Sequence, residues 1–254
     1  MKPSRRALSR VLPILTLILP AMVGCGSNAA PPGSPPASPP PTAASPSAEP
    51  TASPTPTPTT ATPTRPAPTP PTMPGWTGVS SRVAYQWHWP DGSPVTVTHT
   101  YSVPPVAQLV TISAGNYSNE PGDRPYNRMS FSFTTGYPSY TFQYVNQLVA
   151  DGSGQPIPLE GRGVLRIVFT PAQAHTPDGT ASSIQSKPPT HLGMSRMVAY
   201  AQAGDFEGYL SYGIGITWPN PRSNPQIAVR MYEVTYVNAQ GAHRYVIAVD
   251  IDAR

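Results

Sequence analysis

The sequence contains a single cysteine, Cys25, among 254 residues. A lone cysteine excludes intramolecular disulfides, so a folded domain must be held by its own core. It also excludes zinc sites built from several thiolates. Histidine is sparse: His88, His99, His175, His191 and His243 are all there is, and no two stand four residues apart. A His-Glu-x-x-His helix is therefore absent, and no metal site or cofactor is expected. There is no Gly-x-Ser-x-Gly elbow and no phosphate-binding glycine loop. No long segment has the 3.6-residue period of an amphipathic helix. Charge is scarce at 11% of residues. Four of the 16 basic residues, Lys2, Arg5, Arg6 and Arg10, fall in the first ten positions, and the rest balance the 12 acidic ones. The basic excess thus belongs to one short segment and points to no nucleic-acid partner.

What is present begins with that segment. The charged start is followed by an apolar run from Val11 to Val23, interrupted by Pro13 and Pro20 and too short to span a bilayer. Met22-Val23-Gly24-Cys25 then follows, with a small residue just before the sole cysteine. This stretch resembles the lipobox of bacterial lipoproteins, with Met22 where Leu is more usual. The resemblance implies cleavage before Cys25, a diacylglyceryl group on its thiol, and attachment to the extracytoplasmic face of the cell membrane. Two or more acyl chains anchor a protein stably, whereas one holds it only marginally.

Residues 25–75 read as a tether. They are almost wholly Pro, Ser, Thr, Ala and Gly, with Glu49 and Arg65 the only charges. Such a stretch buries too little to offset its ordering entropy and favours polyproline-II conformations. The remaining sequence divides into an aromatic extension over residues 76–105, with Trp76, Trp87 and Trp89, and a domain over residues 106–254.

Period-two alternation dominates that domain. Met129, Phe131 and Phe133 alternate with Arg128, Ser130 and Ser132; Leu165, Ile167 and Phe169 with Arg166 and Val168; Ile227, Val229 and Met231 with Ala228 and Arg230. The same holds for Tyr140 to Tyr144, Leu210 to Ile216 and Tyr245 to Ile251. Turn residues separate these runs, as at Asp151-Gly152-Ser153-Gly154 and Gly204 to Gly208. About eight antiparallel strands, each with one apolar face, predict an all-β fold, an antiparallel β-sandwich. One helical turn is expected near Asn146 to Ala150 or Pro171 to Ala174.

Several separated motifs carry a resemblance over about residues 106–252. They are Tyr140-Thr-Phe-Gln-Tyr-Val, Val149-Ala-Asp-Gly-Ser-Gly-Gln-Pro-Ile-Pro-Leu, Val164-Leu-Arg-Ile-Val-Phe, Ala174-His175, Ala203-Gly-Asp-Phe-Glu-Gly-Tyr-Leu-Ser-Tyr-Gly-Ile-Gly and Tyr245-Val-Ile-Ala-Val-Asp-Ile. Together they resemble the AMIN-like domain of actinobacterial exported proteins. The resemblance implies a sandwich related to the modules that target amidases and secretins to peptidoglycan. It transfers no catalytic residue.

Two constellations are candidates for binding. Arg128, Arg166 and Arg230 occupy the outward phase of three strands; as neighbours they would make one exposed face suited to wall carboxylates. Trp87 and Trp89, with Trp76 and Tyr85, offer rings for sugar faces or a cover for the end of the sandwich. Asp205 and Glu207, two residues apart, suit a solvated turn better than acid–base work. The reading is a membrane-anchored lipoprotein with a noncatalytic module that binds peptidoglycan or an envelope protein. The alternatives are a cell-wall hydrolase, in which His175, Asp205 and Glu207 converge on a pocket, and a structural or chaperone-like lipoprotein.

Overall fold

The computed structural model describes residues 68–100, 105–117, 123–220 and 226–254. The segment read as a signal, Cys25 and the tether up to residue 67 lie outside the described residues. Among the described residues there are eleven strands: β1 (Trp76–His88), β2 (Val95–Val97), β3 (Ala107–Tyr117), β4 (Tyr126–Phe133), β5 (Ser139–Val145), β6 (Gly163–Thr170), β7 (Ala172–Gln173), β8 (Met197–Phe206), β9 (Tyr209–Ile216), β10 (Val229–Asn238) and β11 (His243–Asp252). Sheet A has the order β1-β10-β11-β4-β3-β7 and sheet B the order β2-β5-β6-β9-β8. All pairings are antiparallel except that of β3 with the short β7.

The two sheets pack face to face through the apolar sets read from the sequence. Met129, Phe131, Phe133, Leu165, Ile167, Phe169, Leu210, Ile214, Val229, Ile247 and Val249 are fully buried in one cluster. Phe131, Phe169 and Tyr212 meet at its centre, with ring centroids 5.0 to 5.2 Å apart. Alternation thus assigned the buried apolar sets of β4, β5, β6, β9 and β11 to the inner face correctly, because they recur at every second position. No helix is present among the described residues. Where a helical turn was expected, Ala172 and Gln173 instead form β7, and Asn146 to Ala150 enter a loop over sheet B.

The aromatic extension contributes an edge strand to each sheet: β1 pairs with β10, and β2 pairs with β5. Residues 68–75 lie along the outer face of sheet A. Pro68 and Pro71 are buried, Tyr236 Oη donates to the Pro71 carbonyl, and Met73 packs on Tyr232, Val234 and Tyr236. The β8–β9 connection is a two-residue turn, with Glu207 at φ 50° and Gly208 at φ 79°. Positive φ at both positions is what a tight hairpin requires.

Candidate functional site

The outer face of sheet A receives two of the three candidate arginines and buries them. Arg128, Asp250 and Arg230 are register partners on β4, β11 and β10. Arg128 Nε and Nη2 donate to the two Asp250 carboxylate oxygens at 2.5 and 2.9 Å. Arg230 Nε and Nη2 donate to Asp250 Oδ2 at 2.8 and 2.6 Å, and its Nη1 donates to Asp123 at 2.5 Å. Arg128 Nη1 donates to the Thr69 carbonyl at 2.5 Å. Aromatic rings close the row: the Arg230 guanidinium lies 4.5 Å from Trp87, and that of Arg128 lies 4.9 Å from Tyr117. Burial disfavours the charge on Arg128, but the Asp250 carboxylate outweighs this and raises its pKa.

The expectation of one exposed arginine face is therefore corrected. Arg128 and Arg230 are 1% and 2% exposed, and Arg166 lies on the other sheet. All three do point outward. What alternation could not reveal is that Asp250 stands between the first two, and that aromatic rings and the chain around Thr69 cover them.

 The stretch around Thr69 and Pro71 supplies that cover from the chain's own proline-rich segment.

The outer face of sheet B is different. A loop from Leu148 to Leu159 folds over it, held by Asp151 N donating to the Ala203 carbonyl and Ile157 N donating to that of Leu148. Leu148 is buried with Val164 and Ala203 beneath the loop. Glycines make the room. A Cβ on Gly213 would lie 2.7 Å from the Leu148 methyls, one on Gly215 would lie 1.8 Å from the Glu160 carbonyl oxygen, and one on Gly204 would lie 2.4 Å from Asp151 Oδ2. Asp151 pins the loop, accepting from Arg166 Nη2 at 2.8 Å and from the Ser211 hydroxyl.

Between this loop and the β8–β9 hairpin runs a groove of about 740 Å³, lined by Gln143, Val149, Asp151, Arg166, Phe206 and Tyr209 among others. That volume is within the usual range for a ligand site. Phe206 and Tyr209 face each other across the hairpin and are 72% and 56% exposed. The other described Phe, Tyr and Trp residues are all buried or half-buried.

Residues 122–247 match the family model of the AMIN-like domain. The chain carries an AMIN-like domain. No curated protein and no solved structure matches the chain. AMIN-like domains are generally noncatalytic modules associated with peptidoglycan or other envelope components, which places this chain with extracytoplasmic envelope proteins. The groove of this AMIN-like domain is built from four of the motifs that carried the resemblance: β5 with Gln143, the 149–159 loop, β6 with Arg166, and the β8–β9 hairpin.

The remaining candidates are dispersed. Trp87 is half-buried and donates through Nε1 to Asp123 at 3.2 Å. Trp89 lines a separate cavity of about 270 Å³ with Tyr144, Arg162 and Trp218. His175 Nδ1 lies 2.8 Å from Asp205 Oδ2, so two of the three groups weighed for catalysis meet. Asp205 and Glu207 line the groove, and His175 is not part of its lining. Among the described residues no cluster of three metal-ligating side chains is present.

Two features carry no periodic signal. Phe206 and Tyr209 flank the two-residue hairpin turn, and an aromatic residue on each side of such a turn is a usable signal. Glu233 sits at an inward position of β10, where alternation predicts an apolar residue. It is 1% exposed and accepts from Arg82 Nε at 2.6 Å and Tyr140 Oη at 2.8 Å, with His99 Nε2 3.0 Å away. It thereby ties β1 and β10 of sheet A to β5 of sheet B.

Proposed function

We propose that this protein is a lipid-anchored envelope protein whose AMIN-like domain binds the cell wall through the groove on sheet B. One observation carries the reading: two exposed aromatic rings, Phe206 and Tyr209, border a groove assembled from the family's own motifs. Arg166 is the candidate arginine that remains on an open surface, and it lines this groove. The lipobox-like stretch supports attachment at Cys25 on the extracytoplasmic face of the membrane. The proline-rich residues 25–75 then act as a spacer, at ~3.1 Å per residue when extended. The module is noncatalytic and acts by holding the protein to the wall.

Two measurements test this. Cys25→Ser should leave the protein unprocessed or release it from the membrane fraction; unchanged mass and unchanged detergent-phase partitioning of that variant refute the anchor. Detergent-solubilised full-length protein should co-sediment with purified wall sacculi. If it stays in the supernatant at every salt concentration, the wall-binding reading fails and an envelope protein becomes the better partner.

A further inference from the structure

We propose that the groove on sheet B takes the uncharged glycan strand of the wall and discriminates against its carboxylate-bearing peptides. This rests on the wall-binding reading and narrows it to one ligand class.

The charge of the groove carries the inference. Its lining holds one cation, Arg166, and three carboxylates, Asp151, Asp205 and Glu207. Arg166 is already neutralised where it stands, with Nη2 donating to Asp151 at 2.8 Å. Asp205 accepts from the backbone N–H of Ala174 and lies beside the His175 ring. Glu207 is exposed at the tip of the hairpin. A carboxylate ligand entering here meets more negative than positive charge, and like charges in a partly desolvated groove repel. Arg128 and Arg230 offer no route to wall carboxylates either, because they are buried and paired with Asp250 and Asp123.

The neutral surfaces suit a sugar. Phe206 and Tyr209 are direct cross-strand partners, so their side chains leave the same face of the hairpin about 5 Å apart at Cβ. Val149, 38% exposed, borders the groove from the loop. A pyranose ring presents an apolar C–H face to such a surface. Its hydroxyls donate to carboxylates, and its amide groups pair with side-chain amides. Asp205 and Glu207 supply the first kind of partner, and Gln143 and Gln147 the second.

The test compares three probes with detergent-solubilised full-length protein: intact sacculi, insoluble chitin as an uncharged N-acetylglucosamine polymer, and soluble N-acetylglucosamine oligomers as competitor. Co-sedimentation with chitin should be at least as strong as with intact sacculi. It should be displaced by the oligomers and change by less than about twofold when salt rises from low to physiological strength, since no charge pair is formed. Phe206→Ala with Tyr209→Ala should weaken binding roughly tenfold, the scale of losing an aromatic anchor. Circular dichroism shows whether that variant remains folded; Glu207→Gln, at an exposed turn, gives a second reading and should improve binding of intact sacculi. Binding to intact sacculi but not to chitin overturns the glycan inference and leaves wall binding standing. Binding to neither removes both. Chitin binding that the aromatic variant leaves unchanged puts the glycan site outside the groove and also overturns the proposal.

Discussion

On the outer face of sheet A, Arg128 and Arg230 converge on Asp250, and aromatic rings and the chain's own residues 68–75 close over them. On the outer face of sheet B, Arg166 meets Asp151 in the same kind of ion pair, yet both remain 28% exposed beside an open groove. The two faces use similar residues at the same strand phase. They differ in what lies on top. Sheet A is covered tightly by a segment that hydrogen-bonds to it, whereas the loop on sheet B covers one part of the face and leaves the rest to solvent. The covered ion pair is closed off at the middle of sheet A, and the uncovered one stays accessible beside exposed aromatic rings.

This contrast breaks most severely at Asp250. Asp250→Ala leaves two buried guanidinium groups without their shared carboxylate. A loss of about 3–5 kcal/mol is expected, against a typical total of ~5–15. The measurement is the urea midpoint, and a shift worth less than 1 kcal/mol would show that the sheet A cluster is not truly closed. Arg166→Gln, on the open face, should cost about 0–1 kcal/mol by the same measurement.

Gly215→Ala attacks the loop over sheet B. Its Cβ would lie 1.8 Å from a backbone oxygen, which cannot rotate away. A destabilisation of about 1–3 kcal/mol is expected, with loss of sacculus binding as the loop lifts. Preserved binding at reduced stability would separate the loop from the groove's function.

Glu233→Gln tests the edge that joins the two sheets. Burial pushes the Glu233 carboxyl up, but its contacts with His99, Arg82 and Tyr140 outweigh this and hold it below its ordinary 4.5. Its folded pKa is thus below the unfolded one. The carboxylate's contribution is present above about pH 4.5 and is lost as pH falls through the folded value. Wild-type stability should decline over that acid range, and the variant should decline less. At neutral pH the variant should be less stable by about 1–3 kcal/mol. Parallel pH profiles for the two proteins would show that Glu233 does not report on the fold.

The smallest effect on stability is expected at Phe206. Phe206→Ala should change stability by less than about 0.5 kcal/mol, because the ring is largely in solvent. A melting temperature several degrees lower would show that the ring packs rather than waits for a ligand.

The sequence made the fold legible because the strands of the core carry their buried apolar residues at every second position. Phe131, Ile167, Ile214 and Val249 announced the core by their spacing alone, and Arg128, Arg166 and Arg230 were correctly placed on the other face. The site was only partly legible. Arg166 was named, but the groove beside it depends on a loop whose docking no periodicity encodes. Gly213 and Gly215 held the clue, since glycine at the outward phase of a strand indicates that another segment lies close above. Asp250, at the outward phase of an otherwise apolar strand, held the corresponding clue for sheet A.

Side-chain alternation is a local property, fixed by the two-residue repeat of a strand, and the sequence by itself determined it. Which strands become neighbours is a non-local matter. It decided that Arg128 and Arg230 flank Asp250 while Arg166 sits on the opposite sheet with Asp151. Which outward face is then covered depends on how the connecting segments pack, and that is settled only when residues far apart in the chain compete for the same surface. Tertiary structure alone therefore turned one set of arginines into interior scaffold and left the other beside a groove.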